Sequence, residues 1–263
     1  GVWNGWKGQL LRTLFWETEI ILAGGHSTID RAQRVKHAQE MTRQSLPGWS
    51  DPEIDAYIGR HFPAYWLKVD HEHRTRHARF LLAAERDMHS MATEVLTTVK
   101  ADKSIQAGDV KKVALVVDQK IMPHLNFQRM TAAAVGPAWR QASPEQRSRL
   151  QDEFKALLVR TYAGAVSQVK DQTVALKPLR SSPADTEVLV RTEVRGGAEP
   201  VAIDYRVEKA SDAPAGWRIY NMNVAGIWLV DTYRTQFGQE INAKGLDGLI
   251  AVLSERNKSG ARK

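Results

Sequence analysis

Cysteine occurs nowhere in the 263 residues, which removes disulfides, zinc–thiolate sites and cysteine nucleophiles together. No apolar run approaches the roughly 18 residues that a membrane-crossing helix needs. Histidine is nearly missing from the later part of the chain: seven of the eight lie at or before His89, and only His124 follows. Past residue 90 there is no glycine-rich phosphate loop followed by a lysine, and no spaced acidic motif of a metal site. One histidine without cysteine leaves few ways to pair a nucleophile with a base, so binding is the better class for that part. His124, after Pro123, reads as a structural or surface histidine. The adjacent Asp152 and Glu153 point differently on a helix and read as solvated.

What is present is globular in character, with 43% hydrophobic and 25% charged residues, and long enough for one large domain or two ordinary ones. The net charge of +7 suits acidic partners such as anionic lipid headgroups or nucleic acid, and equally an ordinary solvated surface.

Composition changes near residue 90. Five of eight tryptophans fall within the first 66 residues; residues 1–90 carry 12 basic and 11 acidic side chains, whereas 91–263 carry 25 and 19. The first piece reads as helical. Trp6, Leu10, Leu14 and Ile21 recur near helical spacing up to Gly24-Gly25, a second helix spans Ser27 to Gln44, and Ser50-Asp51-Pro52-Glu53 opens a third toward Arg60. The tryptophans with Lys7 and Arg12 could stack on nucleic acid, but helical spacing favours core packing, and no nucleic-acid partner is expected. His71, His73 and His77 form a His-x-His-x3-His cluster in which His73 and His77 share a helix face. Arg74, Arg76 and Arg79 oppose a cation there, so neither a metal nor any other cofactor is expected.

The second piece runs α, then β, then α. Thr93–Lys100 and Asp109–Lys120 read as short helices. Ser143-Pro144-Glu145-Gln146 supplies an N-cap, a first-turn proline and a capping box for a longer one. Along it Leu150, Phe154, Leu157, Leu158, Thr161, Tyr162 and Ala165 form an apolar stripe. Val174–Leu179, Glu187–Arg195, Val201–Lys209 and Trp217–Val224 read as strands, the middle two with the period-2 alternation of a half-buried sheet. Gly196-Gly197 supplies the turn between them. Ile227–Ala243 returns to helix, Gly245-Leu246-Asp247-Gly248 leads into a last short one ending near Arg256, and the basic tail 258–263 is expected to be disordered.

Lys103-Ser104-Ile105-Gln106-Ala107-Gly108-Asp109, Pro123 to Met130, Leu157 to Tyr162, Gly226 to Arg234 and Gly245 to Ile250 together resemble the MlaC (toluene-tolerance) family. The resemblance covers essentially all of 92–256 and is carried by several motifs. It implies a cone-shaped, nuclear-transport-factor-like α+β fold for 91–257, with a curved antiparallel-rich sheet covered by helices. It also implies a non-enzymatic carrier that ferries phospholipid between an inner-membrane ABC transporter complex and an outer-membrane lipoprotein complex, maintaining outer-membrane lipid asymmetry. Periplasmic localisation follows from the family alone; Gly1 onward shows no charged-then-apolar leader.

Under that implication the lipid-lining residues are Phe127, Met130, Phe154, Leu158, Tyr162, Val188, Val190, Ile203, Tyr205, Trp217, Ile219 and Trp228. Spacing alone allows these side chains to close a solid core instead. Trp228 stands where the family resemblance leads us to expect a small polar residue, which would narrow a cavity.

In the first piece, Trp3 to Arg12 and His61-Phe62-Pro63-Ala64-Tyr65-Trp66-Leu67 resemble the GlnD family, the bifunctional PII uridylyltransferase and uridylyl-removing enzymes. The match covers roughly 1–90, between that family's hydrolytic and regulatory domains, and brings no catalytic residue. The alternative function is therefore a fragment of that regulatory enzyme. A carrier joined to such a fragment reads as an artificial or misassembled fusion, with its junction between His89 and Thr98.

Overall fold

The computed structural model describes residues 31–177, 179, 185–197, 199–213 and 216–259. They fall into two compact units that part between Ala83 and Ala84. The expected helix through Trp6 to Ile21, and Ser27–Asp30 of the next, lie outside the described residues.

The first unit is helical. α1 is Arg31–Gln44, α2 Asp51–Gly59 and α3 Pro63–Lys68; the opening turns of α4, His71–Ala101, complete it. Ser50 caps α2 as its sequence suggested, with the backbone N–H and the hydroxyl of Ser50 both donating to Glu53 Oε2 at 2.8 Å. Tyr57 and Trp66 are fully buried. The last carbonyls of α3, which a helix leaves without partners, are taken by the buried Arg74, which donates to Trp66 O at 3.1 Å and to Val69 O.

The second unit holds the rest of α4, then α5 (Lys103–Gln106), α6 (Val110–Val116), a π turn (Val117–Ile121) and a 3-10 turn (Met122–His124). After these come α7 (Phe127–Val135), a second 3-10 turn (Gly136–Arg140) and α8 (Pro144–Val166). Thr93–Lys100 is thus the end of a 31-residue helix rather than a short one. α8 begins with the expected capping box: Gln146 N donates to Ser143 Oγ at 3.1 Å and Ser143 N to Gln146 Oε1 at 3.0 Å.

Five strands follow in simple meander order, all antiparallel: β1 Thr173–Lys177, β2 Glu187–Arg195, β3 Val201–Lys209, β4 Trp217–Val224 and β5 Ile227–Trp228. β2 and β3 have the bounds read from their alternation, and β4 those expected for it; β1, read as Val174–Leu179, is Thr173–Lys177. At the β2–β3 turn Gly196 has φ +97°, and a Cβ there would come within 3.2 Å of the Asp171 carbonyl, so glycine is required. Ile227-Trp228, expected as helix, instead pairs with Val224 and Asn223.

α9 runs Leu229–Ser259, interrupted at Gly245 by φ +71° and ψ −173°. The Gly-Leu-Asp-Gly motif is therefore a kink inside the last helical element, and Asp247 there accepts a bond from Gln146 Nε2 at 2.8 Å. Lys258 and Ser259 of the expected disordered tail are helical, and the remainder lies outside the described residues.

Candidate functional site: one face of the sheet

Side chains directly opposite across a ladder share a face. Val188 opposes Val207, Val190 opposes Tyr205, Thr192 opposes Ile203, and Val207 also opposes Ile219. Trp217, two residues before Ile219, lies on the same face. Six of the seven candidates on strands thus meet on one surface.

That surface is not buried uniformly. Val190, Val207 and Ile219 are 0% exposed and Tyr205 2%. Toward the other end Ile203, Val194 and Val224 are half-buried and Val201 reaches 38%. The apolar face is closed at one end and open at the other.

A bulge explains how β4 contributes. Ile219 pairs with Val207 but Asn221 with Arg206, so Tyr220 is an extra residue in β4. The insertion turns the strand over. Met222 and Val224 join Tyr205 and Ile203 on the apolar face, while Asn221 and Asn223 go to the face of Arg206 and Asp204. Plain alternation had no way to show this. Asn221 is buried all the same, its Oδ1 accepting from Val230 N at 3.2 Å at the start of α9.

Trp228 opposes Asn223, so it stands on the charged face, apart from the other strand candidates. Its ring lies 4.0 Å beneath the Arg206 guanidinium, a cation–π contact, and is half-buried. There it narrows nothing on the apolar side.

The helical candidates divide. Phe127 and Phe154 stack at 5.7 Å, and Phe154 meets Tyr233 at 5.1 Å and Phe237 at 5.2 Å, forming an aromatic core of α7, α8 and α9. Met130 is 1% exposed. Tyr233 and Phe237, four residues apart on α9, were missed by the reading of the sequence although their spacing signals a shared helix face.

Leu158 and Tyr162 are only half-buried. The stripe on α8 turns away from them after Phe154, because Val159 and Ala163 pack into a separate cluster with Val99, Ile105, Val113 and Val116. Thr161 and Ala165, expected on the stripe, are exposed. Burial and the nearby Tyr233 push the Tyr162 hydroxyl above its ordinary pKa.

In the first unit the three clustered histidines find separate partners. Ser45 Oγ lies 2.9 Å from His71 Nε2, Asp70 Oδ2 2.7 Å from His73 Nδ1, and Tyr65 OH 2.9 Å from His77 Nδ1. Among the described residues no group of three or more His, Cys, Asp or Glu could hold a metal ion.

A curved antiparallel sheet with one apolar face, joined to long helices that share an aromatic core, makes the second unit an α+β domain. Over residues 89–255 it matches the MlaC protein family, and the chain belongs to that family. The phospholipid-binding protein from Ralstonia solanacearum, solved in complex with a phospholipid, is 46% identical with a TM-score of 0.64; the match covers 68% of this chain and 98% of that one. The chain is also similar to bifunctional uridylyltransferase/uridylyl-removing enzymes. That of Nitrobacter hamburgensis is 43% identical over 162 residues, 56% of this chain and 17% of the enzyme. That of Rhodopseudomonas palustris is 52% identical over 95 residues, 36% of this chain and 10% of the enzyme. The chain thus spans less than a fifth of the length of these curated relatives.

Proposed function

We propose that the second unit is a non-enzymatic phospholipid carrier, with the acyl chains held against the apolar face of the sheet. The observation that carries this reading is the 46% identical Ralstonia protein, matched over 98% of its length and solved with a phospholipid. The graded burial of the face, from Val207 at 0% to Val201 at 38%, supports the direction of entry: chains would lie at the open end, near Ile203, Met222 and Val224. Each methylene removed from water contributes about 0.8 kcal/mol, so two chains bind well without specific headgroup contacts. Within the same reading the carrier works in the periplasm, between an inner-membrane lipid transporter and an outer-membrane lipoprotein complex. The part similar to uridylyltransferases is read as a fused fragment without catalysis of its own.

Mass spectrometry of lipids extracted from the natively purified protein tests this. Phospholipid at close to one molecule per chain is expected. No phospholipid, under conditions in which the Ralstonia protein keeps its own, overturns the reading. Uridylyl transfer to a PII protein would overturn the absence of catalysis.

A further inference from the structure

The turn of α4 around Ala84–Met91 begins before residue 89, where the match to the family starts, yet belongs to the second unit. Ala84 and Met88 are 0% exposed and Met91 4%, one apolar stripe at helical spacing. Two acids in the same turn, Glu85 and Asp87, are also buried.

Glu85 Oε1 accepts from Leu179 N at 3.2 Å, and His89 Nε2 lies 3.2 Å from Val174 O, which ties the turn to the β1 margin. Asp87 Oδ1 lies 3.2 Å from His124 Nδ1. His124 precedes Leu125, which bridges to Ile219 of β4, with Asn126 N donating to Ile219 O at 2.8 Å. Residues two apart on a helix point about 200° apart. Glu85 and Asp87 therefore point different ways from a single turn, one toward the β1 side and the other toward the segment that bridges to β4. The charged face carries the exposed Arg191 and the half-buried Arg206, which suit the apolar stripe of Ala84, Met88 and Met91 poorly, whereas the apolar face suits it well.

We propose that residues 84–91 form a strap over the apolar face, latched by Asp87 to His124, and that the strap limits how far acyl chains pass in from the open end. The proposal rests on the carrier reading. The latch is a single contact, the 3.2 Å approach of Asp87 Oδ1 to His124 Nδ1, and Asp87 Oδ2 is buried with no hydrogen-bond partner among the described residues, so little has to break for the strap to move.

The cysteine-free chain allows a direct test in the full-length protein. A double variant, Asp87→Cys with His124→Cys, is bridged by a short bis-methanethiosulfonate reagent and then released with reductant. Uptake of a fluorescent phosphatidylglycerol from phosphatidylglycerol–phosphatidylethanolamine vesicles is followed in each state. The bridged form should load at least tenfold more slowly than wild type, and the reduced form several-fold faster than wild type. Equal rates in the bridged and reduced forms overturn the strap, as does failure of the two positions to bridge in folded protein. Wild type that neither loads nor carries phospholipid overturns the carrier reading itself.

Discussion

Glu187 and Glu208 stand directly opposite each other across β2 and β3, two like charges in the position where a ladder suffers them most. Arg129 of α7 resolves the conflict, its Nη2 2.7 Å from Glu187 Oε1 and its Nη1 bonded to Glu208. The Tyr220 ring lies 3.7 Å under that guanidinium, and its hydroxyl donates to Glu187 Oε2 at 2.9 Å. The bulged residue of β4 is thus the platform for the bridge. Arg129, with Tyr220 adding to it, holds the Glu187 carboxyl below the usual range.

Arg129→Met should lower stability by about 1–2 kcal/mol at neutral pH, since partly exposed pairs contribute modestly and the exposed repulsion adds to the loss. A carboxyl whose pKa is depressed by folding stabilises above its ordinary value and loses that contribution as pH falls through the folded value. Protonation also relieves the repulsion in the variant. The gap between wild type and variant, read by urea unfolding, should therefore shrink between pH 7 and pH 3. A gap that stays constant with pH would mean that Arg129 acts through packing alone.

Phe154 is fully buried and touches three other rings. Phe154→Ala should cost about 3–5 kcal/mol and Phe154→Leu clearly less. If the ring instead lined a lipid site, truncation would leave apo-protein stability nearly unchanged and weaken lipid retention. Denaturant unfolding of delipidated protein separates the two.

Burial pushes the Tyr205 hydroxyl up to about 12, with Thr192 partly offsetting the shift. A pKa raised by folding means the unfolded chain ionises first. Stability is full below the unfolded value of about 10 and falls as pH rises from there toward the folded value. The unfolding midpoint should drop above about pH 10, and Tyr205→Phe should flatten that drop. An unchanged slope would show that Tyr205 ionises freely in the folded protein.

The order of elements and the bounds of β2 and β3 were legible because alternation and capping are local signals. Ser143 with Gln146 and the Gly196 turn belong to that class. Less was legible of the site. The bulge at Tyr220 leaves no mark on period-2 counting, yet it decides that Met222 and Val224 share a face with Tyr205 while Trp228 does not. The turn of the α8 stripe from Leu158 to Val159 depends on what packs beside it, which is set by residues as distant as Val99 and Val113. Family resemblance supplied the fold of 91–257, whereas the mutual contacts of Phe154, Tyr233 and Phe237 depend on how α8 and α9 pack together.

The β4–β5 turn offers the last test. Val224 pairs with Ile227, leaving Ala225 and Gly226 as a two-residue loop, with φ of 51° and 90°. Two positive φ values are the signature of a type I′ turn, for which Asn-Gly is the favoured pair. Ala225 holds the left-handed conformation at a cost of about 1 kcal/mol, because its Cβ crowds the following carbonyl. Asparagine tolerates that region better, and its side chain can bond the local backbone. Ala225→Asn should therefore stabilise the domain by about 0.5–1 kcal/mol, while Ala225→Val should destabilise it by more than that. Thermal unfolding of the two variants at one protein concentration checks both signs. A neutral Ala225→Asn alongside a neutral Ala225→Val would show that the turn relaxes to another conformation in solution.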